Sequence, residues 1–171
     1  MKRLIQAVLA AGLLTAATVT PAHAADDYLH SITIGKGCLV PLWGSKDPGA
    51  YVGYEVCDDT RAQTWRTIDH GGGWYSYQSA GSDQCLTVLG GGAASNEDIV
   101  QQPCAGTPNQ RWQTFYRGPF QSPELRPQHS GKCLSVEGGN RVAPSDLRQM
   151  DCLNVDWQKW QMLSWPPPII H

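Results

Sequence analysis

The sequence predicts an all-β domain closed from three copies of one short unit. Three observations carry this. Cysteines recur in pairs at a constant separation: Cys38 and Cys57, Cys85 and Cys104, and Cys133 and Cys152 are each 19 positions apart. A tryptophan follows the second cysteine by 8 positions every time, as Trp65, Trp112 and Trp160, and a glutamine stands two residues ahead of it. Between these marks Gly, Pro, Ser, Asn and Asp break the chain every few residues, so no apolar pattern of helical period survives. What remains are short aromatic and β-branched runs, such as residues 51–56 and 74–77, that read as strands.

The pitch of the repeat is 47 residues and then 48, within the range of structural repeats that stack or close. Each unit supplies four strands. The first lies around residues 32–34, 74–77 and 124–126; the second carries Cys-Leu-x-Val; the third leads into the second cysteine; the fourth carries or follows the tryptophan. Closure removes the exposed edges that an open stack would leave. A propeller needs at least about four blades, so three units of four short strands predict a β-trefoil of repeats about 47 residues long. Its lobes run over residues 28–72, 73–119 and 120–165.

Outside the repeat, Lys2 and Arg3, an apolar stretch over residues 4–19 and Ala22-His23-Ala24 read as a secretion signal over residues 1–24. The domain then occupies residues 25–165, and a proline-rich tail follows at 166–171, where Pro166, Pro167 and Pro168 cannot join a central strand. The formal net charge is −2. Scattered charge of this kind offers no electrostatic footprint for nucleic acid, and no later apolar stretch approaches membrane-spanning length. The expectation is an exported, extracellular protein without cofactor or metal.

Six cysteines, all inside the repeat, suit an oxidising compartment. Because each unit carries one pair at one separation, the pairing expected is within units: Cys38–Cys57, Cys85–Cys104 and Cys133–Cys152. Each loop of this size is worth about 3 kcal/mol in the chain-entropy account. A metal site would want a C-x-x-C or a nearby His pair, and neither is present.

Gly131-Lys132-Cys133-Leu134-Ser135-Val136, with Cys152 and Gln158-Lys159-Trp160, resembles the repeat of the ricin-type lectin family, and Gln63-Thr64-Trp65 and Gln110-Arg111-Trp112 complete the set. The resemblance spans residues 28–165 and implies a β-trefoil with one Gln-x-Trp per lobe, each serving the core. It also implies sugar sites on individual lobes, built from an Asp two residues after the first cysteine, an aromatic two before the second, and an Asn just before Gln-x-Trp. Such a set fits the ligand: a carboxylate accepts from adjacent hydroxyls, a ring stacks on the apolar C–H face, and an amide completes the contact.

Here the Asp position holds Val40, Thr87 and Ser135; the aromatic position holds Glu55, Gln102 and Met150; the Asn position holds Ala62, Asn109 and Trp157. The second lobe, with Thr87, Gln102, Asn109 and Gln110, is the nearest to the implied site. Aromatic residues that the repeat does not require offer substitutes: Trp43, Tyr51, Tyr54, Trp74, Tyr75 and Trp157. Trp157 stands in the Asn position. Trp43 stands where the other lobes have Gly90 and Gly138, so it suits display from a hairpin loop.

Catalytic readings find little to stand on. His30, His70 and His129 have no Ser or Cys elbow and no H-E-x-x-H around them. Asp58 and Asp59 are adjacent on one loop rather than facing across a cleft, and the glycine runs at 71–73 and 90–92 lack the strand-loop-helix setting of a phosphate cradle. The sequence thus points to a secreted, non-catalytic, lectin-like protein for glycans or a glycosylated surface, its sugar sites degenerate. The alternative is a protein-interaction or toxin-type targeting subunit, as the similar trefoils of cytolethal distending toxins suggest. A trefoil inhibitor of hydrolases ranks last, since such folds lack three Gln-x-Trp marks.

Overall fold

Each half-cystine pair brackets a hairpin, and each Gln-x-Trp begins the strand that returns to the barrel. The computed structural model describes residues 29–119, 121–139 and 142–164. The expected signal at 1–24, Tyr28, Trp165 and the tail at 166–171 lie outside the described residues. The first lobe holds β1 (Leu29–Ile34), β2 (Gly37–Pro41), β3 (Val52–Val56) and β4 (Thr64–Asp69). The second holds β5 (Tyr75–Ser79), β6 (Cys85–Val88), β7 (Glu97–Gln102) and β8 (Trp112–Phe115). The third holds β9 (Glu124–Pro127), β10 (Cys133–Val136), β11 (Ser145–Met150) and β12 (Gln161–Ser164).

The outer strands of each lobe make a six-stranded antiparallel barrel. Its registers include Ile32 with Met162, His30 with Trp65, Thr67 with Tyr77, Tyr75 with Trp112 and Thr114 with Leu125. The last seam is held by Trp160 N–H donating to Pro123 O at 2.8 Å. The inner strands form three hairpins, β2–β3, β6–β7 and β10–β11, that meet over one end. Tyr54 faces Ser145, Arg148 faces Asp98, and Tyr51 bridges to Val100, so all three hairpins touch. This is the β-trefoil that the repeat predicts.

The core is threefold. Ile32, Tyr77 and Leu125 fill one layer, Leu39, Leu86 and Leu134 another, Val52, Ile99 and Leu147 a third, and Trp65, Trp112 and Trp160 a fourth; all are at most 1% exposed. Alternation in the strands sets this inward face. The opposite face of β2, β6 and β10 is also buried, because the disulfide returns a loop across it. The pairing is the expected one, with Cα–Cα distances of 5.1, 5.0 and 5.1 Å, inside the usual range for the bond. Among the described residues no helix is long and apolar enough to cross a membrane.

Candidate functional site

The Gln-x-Trp residues make the same contacts three times. Each indole N–H donates to the carbonyl of the leucine after the first cysteine: Trp65 to Leu39, Trp112 to Leu86 and Trp160 to Leu134, all at 3.0 Å. Each glutamine clamps the loop after the second cysteine. Gln63 accepts from Asp58 N–H and donates to Val56 O, both at 2.8 Å. Gln110 accepts from Ala105 N–H at 2.8 Å and donates to Pro103 O at 2.9 Å, and Gln158 accepts from Leu153 N–H at 2.9 Å and donates to Asp151 O at 2.8 Å. Pairing of this kind offsets the cost of burying an amide.

Of the second-lobe candidates, Thr87, Asn109 and Gln110 turn their polar atoms onto the fold, whereas the Gln102 amide lies near Gly49 of the first lobe. Thr87 is 4% exposed; its hydroxyl donates to Cys85 O at 2.7 Å and accepts from Gln110 Nε2 at 3.1 Å. Asn109 is half-buried; its Nδ2 donates to Val88 O at 2.9 Å and its Oδ1 accepts from Thr107 Oγ1 at 2.7 Å. Gln102, at the edge of the same hairpin, is half-buried. Val40 and Ser135 are buried as well.

The two tryptophan candidates differ sharply. Trp157 is half-buried over the third-lobe turn, so close that a Cβ on Gly139 would meet its ring at 2.9 Å. Trp43 is 82% exposed. It occupies the middle of the short turn Leu42–Gly44 with φ at 57°, where Gly90 and Gly138 have φ of 66° and 63°. Glycine adopts that left-handed backbone freely, whereas an L side chain is disfavoured there by roughly 1–2 kcal/mol. Among the described residues Trp43 is the one aromatic with a positive φ; the other non-glycine residues in that region are Asp59, Asp83, Asn96 and Asn154, types that tolerate it better.

Trp43 overlooks a cleft between the first and third lobes. One hollow of about 350 Å³ is lined by Trp43, Glu55, Val56, Asp58, Ala143 and Pro144. A second, of about 300 Å³, adjoins it through Trp43 and Pro144 and reaches Leu42, Glu137, Ser145 and Asp146. The Trp43 backbone N–H donates to Glu55 Oε1 at 3.4 Å, which places the carboxylate beside the turn that displays the ring. Trp43 and Glu55 thus line one hollow of the first lobe, with the carboxylate at the position where the resembling pattern has its aromatic. Among the described residues two further hollows have no aromatic lining: one of about 330 Å³ is lined by Gln121, Ser122, Asn154, Asp156 and Lys159, and one of about 250 Å³ carries Lys46 and Arg61.

Ala143, Pro144 and Asp146 carried no signal in sequence, because only the docking of β11 on β3 brings them to the first lobe. Glu55 was visible only as a departure from the resembling pattern. Glu124 was missed altogether. It is fully buried in the third lobe at the position of Ser31 and Ser76. Burial raises its pKa, but hydrogen bonds from Arg117 (2.7 Å), Arg126 (2.6 Å) and Lys159 (3.1 Å) outweigh that and hold it at about 2. Its carboxylate also lies near Cys133 and Cys152, but both sulfurs are committed to a disulfide and offer no thiolate to a metal.

A closed trefoil with three disulfide-bracketed hairpins and three Gln-x-Trp clamps is the architecture of a lectin-type repeat protein. Residues 23–112 match the ricin-type beta-trefoil lectin domain, and the chain belongs to that family. No curated protein matches the sequence. Among solved structures it is similar to a designed threefold-symmetric protein, ThreeFoil, with a TM-score of 0.74 and 24% identity over 78% of this chain and 96% of that one. It is similar to an exo-beta-1,3-galactanase from Clostridium thermocellum (TM-score 0.76, 21% identity, 82% of this chain), of which it spans only 31%. The C-half of an earthworm R-type lectin, solved in complex with GalNAc, aligns with a TM-score of 0.63 and 14% identity over 80% of this chain and 98% of that one. At these identities the likeness is one of fold.

Proposed function

We propose that the protein is a secreted, non-catalytic carbohydrate-binding lectin whose sugar site is the Trp43 cleft of the first lobe. The observation that supports this most is the display of Trp43, 82% exposed on a left-handed backbone that the other lobes assign to glycine. An indole face there covers the apolar side of a pyranose, and Glu55, beside it, accepts from sugar hydroxyls. In the second lobe, by contrast, Thr87, Asn109 and Gln110 spend their polar atoms on the fold. Three disulfides agree with an extracellular setting.

A glycan array probed with the oxidised protein, Trp43→Ala and Asn109→Ala tests the reading. Binding that Trp43→Ala abolishes and Asn109→Ala preserves is the expected result. Binding lost only with Asn109→Ala moves the site to the second lobe. Silence from folded protein across the array turns the same surface into a protein-docking face, the targeting-subunit alternative.

A further inference from the structure

We propose that the Trp43 cleft selects a sugar bearing a positively charged amine, a 2-amino-2-deoxy residue with its nitrogen free, over the neutral or N-acetylated sugar of the same ring. The proposal rests on the reading of this cleft as the sugar site and adds the charge of the occupant.

Four acidic side chains border the two joined hollows: Glu55 and Asp58 on the first lobe, Glu137 and Asp146 on the third. Among the described residues only Glu137 has a cationic neighbour, Arg148 Nε at 3.4 Å, and that guanidinium also pairs with Asp98. Among the described residues no cation pairs with Glu55, Asp58 or Asp146. Backbone amides donate to two of them, Trp43 N–H to Glu55 at 3.4 Å and Thr60 N–H to Asp58 at 3.2 Å. Elsewhere in the molecule Asp83 has Arg66, Asp151 has Lys132 and Glu124 has three cations.

Carboxylates that, among the described residues, have no cation and that border the hollows lined by the Trp43 ring have a clear complement. An ammonium group adds the attraction of a full positive charge to its hydrogen bonds with carboxylates, which a neutral hydroxyl lacks. The same charge is attracted to the negative face of the indole. The remaining pyranose C–H surface stacks on that ring and against Val56, Ala143 and Pro144, which form the apolar part of the wall. Acetylation removes the charge and a uronic or sialic carboxylate reverses it, so both lose the complement. The basic hollow near Lys46 and Arg61 has no aromatic lining residue and is no rival for an amine.

Calorimetric titration with glucosamine oligomers and with their N-acetylated counterparts of equal length tests this. The expected result is at least about tenfold tighter binding of the free amine, weakened by added salt, abolished by Trp43→Ala and reduced several-fold by Glu55→Gln and by Asp146→Asn. Thermal melts of each variant confirm folding, and the isosteric Glu55→Gln removes charge without changing shape. Equal or tighter binding of the N-acetylated oligomer overturns the charge preference and leaves the sugar site standing. Amine binding that survives Trp43→Ala and Glu55→Gln also overturns it, as charge attraction elsewhere on an acidic surface. No binding to either oligomer, nor to any glycan on the array, fells both readings. Binding of a lysine-rich peptide with no sugar bound overturns the proposal in favour of a protein partner.

Discussion

The second and third lobes each grip a neighbouring hairpin with a buried glutamine, and the first lobe does not. Gln101 Nε2 donates to Ser45 O and Asp47 O, both at 2.9 Å, while its Oε1 accepts from Ser82 at 2.6 Å. Gln149 Nε2 donates to Gly92 O at 3.0 Å and Ala94 O at 2.7 Å, and its Oε1 accepts from Ser130 at 2.7 Å. The equivalent residue of the first lobe is Tyr54, and the serine position is Gly35. The Tyr54 ring fills the space over Gly37, where a Cβ would come within 1.9 Å of it. Tyrosine has no amide to offer the third-lobe hairpin, whose Ala143 and Pro144 wall the Trp43 cleft. The threefold frame is thus complete in every lobe, while the coupling between lobes is altered at one junction, where the exposed ring stands.

The sharpest contrast sets frame against display. Trp112→Ala removes a fully buried indole that every lobe shares and is expected to cost about 3–5 kcal/mol. Trp43→Ala is expected to change stability by less than about 0.5 kcal/mol, as for most surface changes. Urea denaturation of the oxidised proteins measures both; equal losses would mean that Trp43 is structural.

Next comes the third lobe against its siblings at Glu124. Glu124→Ala leaves Arg117, Arg126 and Lys159 without their shared carboxylate and is expected to cost about 3–5 kcal/mol. The pH dependence has a fixed sign. Because the folded pKa lies near 2, below the unfolded value, the stabilisation is complete above about pH 4.5 and is lost as pH falls toward 2. Glu124→Gln should flatten that acid limb, and an unchanged acid limb in denaturation against pH would contradict the assignment.

A smaller effect probes the amide grip. Gln149→Ala strips hydrogen bonds from Gly92 O, Ala94 O and Ser130 and should cost about 1–3 kcal/mol. Hydrogen exchange of the second-lobe hairpin should quicken, while the third-lobe hairpin keeps its rate. The smallest effect has the opposite direction. Trp43→Gly relieves the left-handed backbone and should stabilise by about 1 kcal/mol while removing sugar binding. A variant that is both less stable and still binds would show that the left-handed turn is neither strained nor needed for the site.

Much of this protein is determined locally. The constant spacing of cysteines and tryptophans dictates three equal units, and the disulfide pairing, the four strands per lobe and the buried Leu39, Leu86 and Leu134 follow from that repetition. Trp43 as a displayed residue was legible too, because an indole stood where two sibling turns had glycine. Thr87 and Asn109, by contrast, look in sequence like part of a polar site, yet folding turns their hydrogen bonds inward. The tertiary structure alone decided which lobes meet. Glu55 and Asp146 are far apart in the chain and share a cleft because β3 pairs with β11. Glu124 gained its three cations because the end of β8, the start of β9 and the residue before Trp160 converge at one corner of the barrel. Spacing along a chain records contacts within a repeat unit. Contacts between units depend on how the barrel closes, and no local pattern carries them.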